Sequence, residues 1–151
     1  AILARYPDFP RDLIELEVTE SAPMLDFPSA ITTLQAINAL GIHIALDDFG
    51  TGNASLTYLQ RLPAQTIKID QSFVRDILVD NKDLAIVAGV ASTAQALGLE
   101  IVAEGVESLG HARKLADLGV NVLQGFAVAQ PMPAEDILNW VAHYKPILRE
   151  D

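Results

Sequence analysis

The sequence predicts an α/β fold with a parallel sheet, closed as a barrel rather than opened into a doubly wound layer. Three observations predict it. Short apolar, β-branched runs alternate with helical stretches along the chain, and strand–helix–strand at this spacing means βα units with right-handed crossovers. Most of these runs are apolar throughout, as in strands covered on both faces. Every run also delivers a charged or amide side chain at or near its C-terminal end. In (β/α)8 barrels several strands contribute functional groups on that face, whereas an open sheet uses fewer strands at one switch point.

The elements follow in order. Leu13–Val18 reads as the first strand, and Pro28 opens a helix carrying Ile31, Leu34, Ile37 and Leu40 that Gly41 stops. Ile42–Leu46 is the second strand. A helix from about Ala54 to Leu62 has Leu56, Leu59 and Leu62 at i, i+3 spacing before Pro63 breaks it. Thr66–Ile69 is the third strand. Asn81 is the expected cap of a long helix with Leu84, Val87, Ala91, Ala94 and Leu97, ended by Gly98. Glu100–Ala103 is the fourth strand, Ser108–Leu118 a helix closed by Gly119, and Asn121–Phe126 the fifth strand. A last helix begins after Pro133 and holds Ile137, Leu138, Trp140 and Val141. No linker, repeat or low-complexity tract interrupts the series, so residues 1–151 read as one structural unit.

Composition narrows the function. Half of the 151 residues are hydrophobic, enough for a real core, and there is no cysteine. Thiolate zinc sites, disulfide frameworks and a cysteine nucleophile are thereby excluded. The longest apolar run, Leu84–Ala91, is too short to span a bilayer, so no direct membrane insertion is expected in this segment. Twenty acidic against ten basic residues, net charge −10, argue against coating DNA through phosphate contacts. Phosphate chemistry assisted by divalent cations stays open, because a bound cation reverses the local sign.

The strand ends carry Glu17-Val18-Thr19-Glu20, Asp47-Asp48-Phe49-Gly50, Lys68-Ile69-Asp70, Glu104-Gly105-Val106-Glu107 and Gln124-Gly125. Asp70 and Glu107 directly precede helices and suit the role of N-caps. Asp47 and Asp48 are different: adjacent carboxylates repel unless a proton or cation separates them. A turn at the strand end could bring both to one metal pair. Lys68, between Ile67 and Ile69, needs a partner if buried, either a structural ion pair with Asp47 or Glu104 or a catalytic role. His43, His111 and His143 lack metal-site spacing. All-oxygen ligands point to magnesium or manganese rather than zinc. Two such ions roughly 3.5–4 Å apart support in-line phosphoryl displacement.

In order and spacing these motifs, with Ile67-Lys68-Ile69-Asp70, Gln124-Gly125-Phe126 and the closing Pro131-Met132-Pro133, resemble those of the EAL domain. That family comprises bacterial cyclic di-GMP phosphodiesterases. The resemblance implies the C-terminal portion of a (β/α)8 TIM-type barrel, with about five βα units present and the Glu-Ala-Leu strand and an asparagine ligand expected before Ala1. It implies that Glu17 is a ligand of a first metal, Asp47 the bridging carboxylate and Asp48 a ligand of the second, the ions being Mg2+ or Mn2+. Lys68 is similar to the lysine that positions water and phosphate, Glu104 to the carboxylate that orients or deprotonates the water, and Gln124 to the active-site glutamine. Glu20 resembles the residue that steadies the loop from Phe49 to Ser55. The implied reaction is hydrolysis of cyclic di-GMP to linear pGpG in the parent domain, the chain alone being inactive.

The implied setting is cytoplasmic. A sensory or GGDEF-type domain is expected upstream, and the open sheet edges imply a homodimer or a domain-swapped oligomer. Asn53-Ala54 replaces the family's more usual Tyr-Ser, and Gln130 stands where arginine is common. The alternative is an inactive EAL-type receptor that binds the dinucleotide without cleaving it. On residue chemistry alone, Lys68 could also serve as a Schiff-base former of the aldolase type.

Overall fold

A computed structural model describes residues 3–19, 27–51 and 56–148. Five parallel strands form one sheet: β1 (Glu15–Thr19), β2 (His43–Phe49), β3 (Thr66–Ile69), β4 (Glu100–Ala103) and β5 (Val122–Leu123). Their order in the sheet is their order in the chain. Right-handed crossovers between parallel strands that advance in one direction put the connecting helices on the same side of the sheet. A doubly wound sheet would reverse direction once, and this one does not. The progression is that of a barrel wall, as predicted.

The helices are α1 (Phe27–Asn38), α2 (Leu56–Arg61), α3 (Gln71–Val74), α4 (Asn81–Leu97), α5 (Leu109–Asp117) and α6 (Ala134–His143). The core lies between them and the sheet. Ile44, Leu46, Ile67, Ile69, Ile101 and Ala103 alternate along their strands toward Leu34, Leu59, Leu62, Val87, Ala91, Ala94 and Leu115. Each large side chain buried this way contributes roughly 1.5–3 kcal/mol. The other side of the sheet is chemically different: Ala45, Thr66, Lys68 and Val102 are buried there too, and two of the four are polar.

Several boundaries and caps differ from expectation. Leu13 belongs to a short 3-10 turn at Arg11–Leu13, so β1 starts later. β1 is exposed along most of its length: among the described residues it pairs with β2 alone, and it is not covered on both faces as expected of most strands. The second strand runs on to Phe49, and the fifth shrinks to two residues. Asp80, not Asn81, caps α4: its extended backbone brings a carboxylate oxygen 2.7 Å from Lys82 N. Ser108, not Glu107, caps α5, because the residue adjoining the first helical position is the one whose short side chain reaches the His111 N–H at 3.2 Å. Asp70 caps α3, as expected of a residue that directly precedes a helix.

At the far end of the sheet two glycines allow a close crossing. Gly125 has φ +155°, and a Cβ there would sit 2.3 Å from Val106 N. Gly105 has φ +69°, and a Cβ would meet that of Gln71 at 2.6 Å. Any side chain at either position would push the turns after β4 and β5 apart.

Candidate metal centre

Lys68 sits one residue before the end of β3, with Ile67 and Ile69 directed into the helix-side core. Period-2 alternation therefore sends the lysine to the opposite side, where its side chain is only 7% exposed. Three carboxylates from three other elements meet its ammonium. Glu17 of β1 lies 2.5 Å from Nζ, Glu104 after β4 2.8 Å, and Asp47 of β2 3.0 Å. Glu17 must reach past β2 to do so. Its direct register neighbour there is Ala45, whose small side chain leaves the path open. The lysine thus pairs with both partners expected of it and with a third from the sheet edge.

Burial pulls the Lys68 pKa down, but the carboxylates of Glu104, Glu17 and Asp47 outweigh it and hold the ammonium above its ordinary value. An ammonium so held has no free lone pair, whereas a Schiff-base former needs one.

The adjacency of Asp47 and Asp48 is resolved by a β-bulge. β2 pairs with β3 as Leu46↔Ile67 and then as Phe49↔Ile69, so two residues of β2 oppose Lys68 alone. Asp48 has φ +55°, a left-handed conformation that Asp tolerates better than most residues. The extra residue cancels the alternation that would have sent the two carboxylates to opposite faces. Oxygen atoms of Asp47, Asp48 and Glu104 all lie within 4.8 Å of one another. Asp47 Oδ1 is buried and makes no hydrogen bond; Lys68 Nζ is its ionic neighbour, outside hydrogen-bonding geometry. Carboxylates crowded around a single ammonium, all of them oxygen donors, fit a hard divalent cation. Among the described residues no histidine joins a group that could hold a metal.

Burial raises the Asp48 pKa, and the charges of Asp47 and Asp70 add to that against the opposing effect of Lys68. The folded protein then binds a proton at Asp48 more readily than the unfolded chain does. Stability supplied by that proton is present at low pH and is lost as pH rises from the ordinary carboxylate value through the raised one. In the absence of divalent cations, urea midpoints of Asp48→Asn are expected to fall less than those of the unmodified protein between pH 4 and pH 7. Parallel pH profiles for the two would contradict this.

The remaining residues distribute around this cluster. Gln124 continues β5 by accepting at its backbone from Val106 N, 3.0 Å. It lines an open cavity of ≈ 210 Å³ together with Glu104, Gln71, Glu107 and the exposed Phe126. It thus shares that cavity wall with Glu104. Glu20, Asn53 and Ala54 lie outside the described residues, and Gln130 is exposed. Gln71, to which the sequence assigns no role, lines the cavity, and Asp70 caps α3 by accepting from Ser72 N.

Fold and site together define a protein of the parallel (β/α)-barrel class with an acidic, lysine-centred constellation at the strand C-terminal ends. The EAL domain family model matches residues 1–131. MucR of Pseudomonas aeruginosa, a bifunctional diguanylate cyclase/cyclic di-GMP phosphodiesterase, is 46% identical over 140 residues, 93% of this chain and 20% of that protein. A structure of the MucR phosphodiesterase in complex with cyclic di-GMP superposes with TM-score 0.84 at 44% identity, covering 89% of this chain and 54% of that one. The EAL domain of Mycobacterium smegmatis DcpA gives TM-score 0.88 at 38% identity, covering 96% of this chain and 65% of that one. BlrP1 of Klebsiella pneumoniae, solved as a manganese/cyclic di-GMP complex, gives 0.73 at 37% identity, over 80% of this chain and 31% of that one. The chain belongs to the EAL domain family, and its five parallel strands are part of that family's TIM-type barrel. It spans about a fifth of the curated relative MucR and forms a partial EAL domain.

Proposed function

We propose that the chain is the C-terminal, catalytic part of a metal-dependent phosphodiesterase that hydrolyses cyclic di-GMP to linear pGpG, residues 1–151 all belonging to that domain. The observation that carries this reading is the convergence of Glu17, Asp47 and Glu104 on one buried ammonium, with a bulge adding Asp48 to the same side. Glu17 and Asp47 would hold one Mg2+ or Mn2+ ion, and Asp47 and Asp48 a second. Bound there, the ions supply a water of lowered pKa and neutralise charge on the attacked phosphate.

The other steps fall to the protein. Lys68, kept charged by its carboxylate neighbours, meets the negative charge that develops on the phosphate oxygens in the transition state. Glu104, placed between Lys68 and the cavity, orients the attacking water and accepts its proton. Gln124, at the cavity wall, contacts substrate or water through its amide. Glu20 is assigned to steadying the loop that follows β2. We assign the domain to the cytoplasmic side, with a sensory or GGDEF-type domain preceding it. No helix among the described residues is long and apolar enough to cross a membrane. The assembly we assign to the domain is a homodimer or a domain-swapped oligomer.

Incubating the full-length protein with cyclic di-GMP and Mn2+ is expected to release pGpG, resolved by chromatography, and chelation by EDTA is expected to stop it. Binding of the dinucleotide without any release under the same conditions would replace this reading with the receptor alternative.

A further inference from the structure

We propose that Glu15, bonded to the Thr66 hydroxyl, is a positioning residue of the metal centre: it ties β1 to β3 so that the Glu17 carboxylate stays beside Lys68, where the first divalent cation requires it. The inference rests on the metal-centre reading above. Glu15 Oε2 accepts from Thr66 Oγ1 at 3.2 Å. Thr66 is only 2% exposed, and a hydroxyl buried that far needs an acceptor. Glu15 and Glu17 stand two apart on β1 and so share one face of it, as Thr66 and Lys68 do on β3.

The two contacts repeat one diagonal. In the ladder Glu17 stands opposite Ala45, and Ala45 opposite Thr66. Thr66 is therefore level with Glu17, yet it is Glu15, two residues earlier, that bonds it. Glu17 makes the same forward step when it reaches Lys68, two residues beyond Thr66. Strand side chains lean along the strand in this way, and both glutamates cross β2 to reach β3.

Glu17 needs such a tie. Its strand pairs with β2 alone among the described residues, and its side chain is 49% exposed. Water competes for a half-exposed carboxylate, and holding a long side chain in one rotamer costs entropy. The Glu15–Thr66 bond, with its hydroxyl end buried, fixes the height of β1 against β3, and Glu17 inherits that height. Glu15 touches neither Lys68 nor the aspartates, so it acts through Glu17. Partners behind the ligands of a metal site typically change affinity about 10–100-fold when removed.

The test is a Mn2+ titration of the full-length protein, with the free ion counted by electron paramagnetic resonance, run beside urea unfolding in metal-free buffer. Glu15→Ala and Thr66→Val are each expected to weaken one bound ion about 10-fold or more. The double variant should be no weaker than either single one, because both remove the same bond. Glu15→Gln keeps an acceptor for the hydroxyl and should titrate like the unmodified protein. Without metal, Glu17→Gln is expected to lower the urea midpoint, and to lower it less in the Thr66→Val background, where Glu17 has already lost its place at Lys68. If Glu15→Ala and Thr66→Val bind Mn2+ as the unmodified protein does and merely unfold earlier, the bond is structural only and the inference fails. If the unmodified protein binds no Mn2+ at all, the metal-centre reading fails and the urea comparison decides alone. Equal Glu17→Gln shifts in the two backgrounds then overturn the tie, and a smaller shift with Thr66→Val upholds it.

Discussion

Lys68→Met is expected to destabilise the protein by about 3 kcal/mol in metal-free buffer, and by much less in millimolar Mn2+. The side chains are similar in length, so little packing is lost and the effect isolates the charge. In its absence Glu17, Asp47 and Glu104 would face one another with no counter-ion on the buried side of the sheet. Removing one partner of a buried ionic cluster costs about 3–5 kcal/mol, because the partners left behind have lost their solvation without compensation. The lower end applies here, since the Glu17 side chain remains 49% exposed and water screens part of the repulsion.

A divalent cation can take over the neutralising role for Asp47 and Glu104, which is why Mn2+ should restore most of the loss. Urea unfolding of both proteins, with EDTA and with Mn2+, measures the difference. The sign of the pH dependence provides an internal control. Because the Lys68 pKa is raised in the folded state, its contribution is complete below the ordinary lysine value and declines only as pH climbs through the raised one. The Lys68 contribution to the difference between the two proteins should therefore persist from neutral pH to pH 9. Equal stabilities without metal would show that the carboxylates protonate or move apart, and that the ammonium does not hold the site together.

What could be read from the sequence depended on how local the determining physics is. β3 and β4 have the expected bounds, because Thr-Ile-Lys-Ile and Glu-Ile-Val-Ala are β-branched runs bounded by Pro63 or Gly98 before them and by the Asp70 cap or Gly105 after them. The long helix α4 also ends where Gly98, at φ +70°, takes the left-handed capping position. β5 was read too long because Gln124-Gly125-Phe126 looks extended, whereas Gly125 turns the chain against Val106. That turn depends on a contact with a different strand end.

The site shows the same divide. Chemistry was legible: two adjacent aspartates need a cation, and a lysine among isoleucines needs carboxylates. Register was not. The bulge that puts both aspartates opposite Lys68 is a property of the β2–β3 pairing, and no run of residues in β2 alone announces it. Glu17 reaching Lys68 past Ala45 depends likewise on three strands lying side by side. Asp70 is the cap its place before a helix implies, because that role needs only the neighbouring Ser72 N–H.

Asp47→Asn is expected to abolish pGpG formation by the full-length protein, lowering turnover by about a thousandfold or more, while leaving the fold intact. The change is isosteric and places a neutral amide where Oδ1 now lies buried without a hydrogen bond. The amide NH2 cannot ligate a cation, so a residue assigned to bridge two ions would serve at most one through its remaining oxygen. The loss of charge also weakens the hold on the ion that remains. Stability should fall little or even rise in metal-free buffer, since one of the mutually repelling carboxylates beside Asp48 has gone. This opposite movement of stability and turnover separates Asp47 from a structural residue, whose removal would depress both. Glu104→Gln provides the contrast: it retains a side chain beside Lys68 and should keep Mn2+ binding at Asp47 and Asp48 while losing the proton acceptor. Metal-dependent hydrolysis at near-normal rate by Asp47→Asn would take Asp47 out of the bridging position. The lysine-centred cluster would then be a structural ion network, and the reaction centre would have to be sought at the neighbouring cavity lined by Glu104, Glu107 and Gln124.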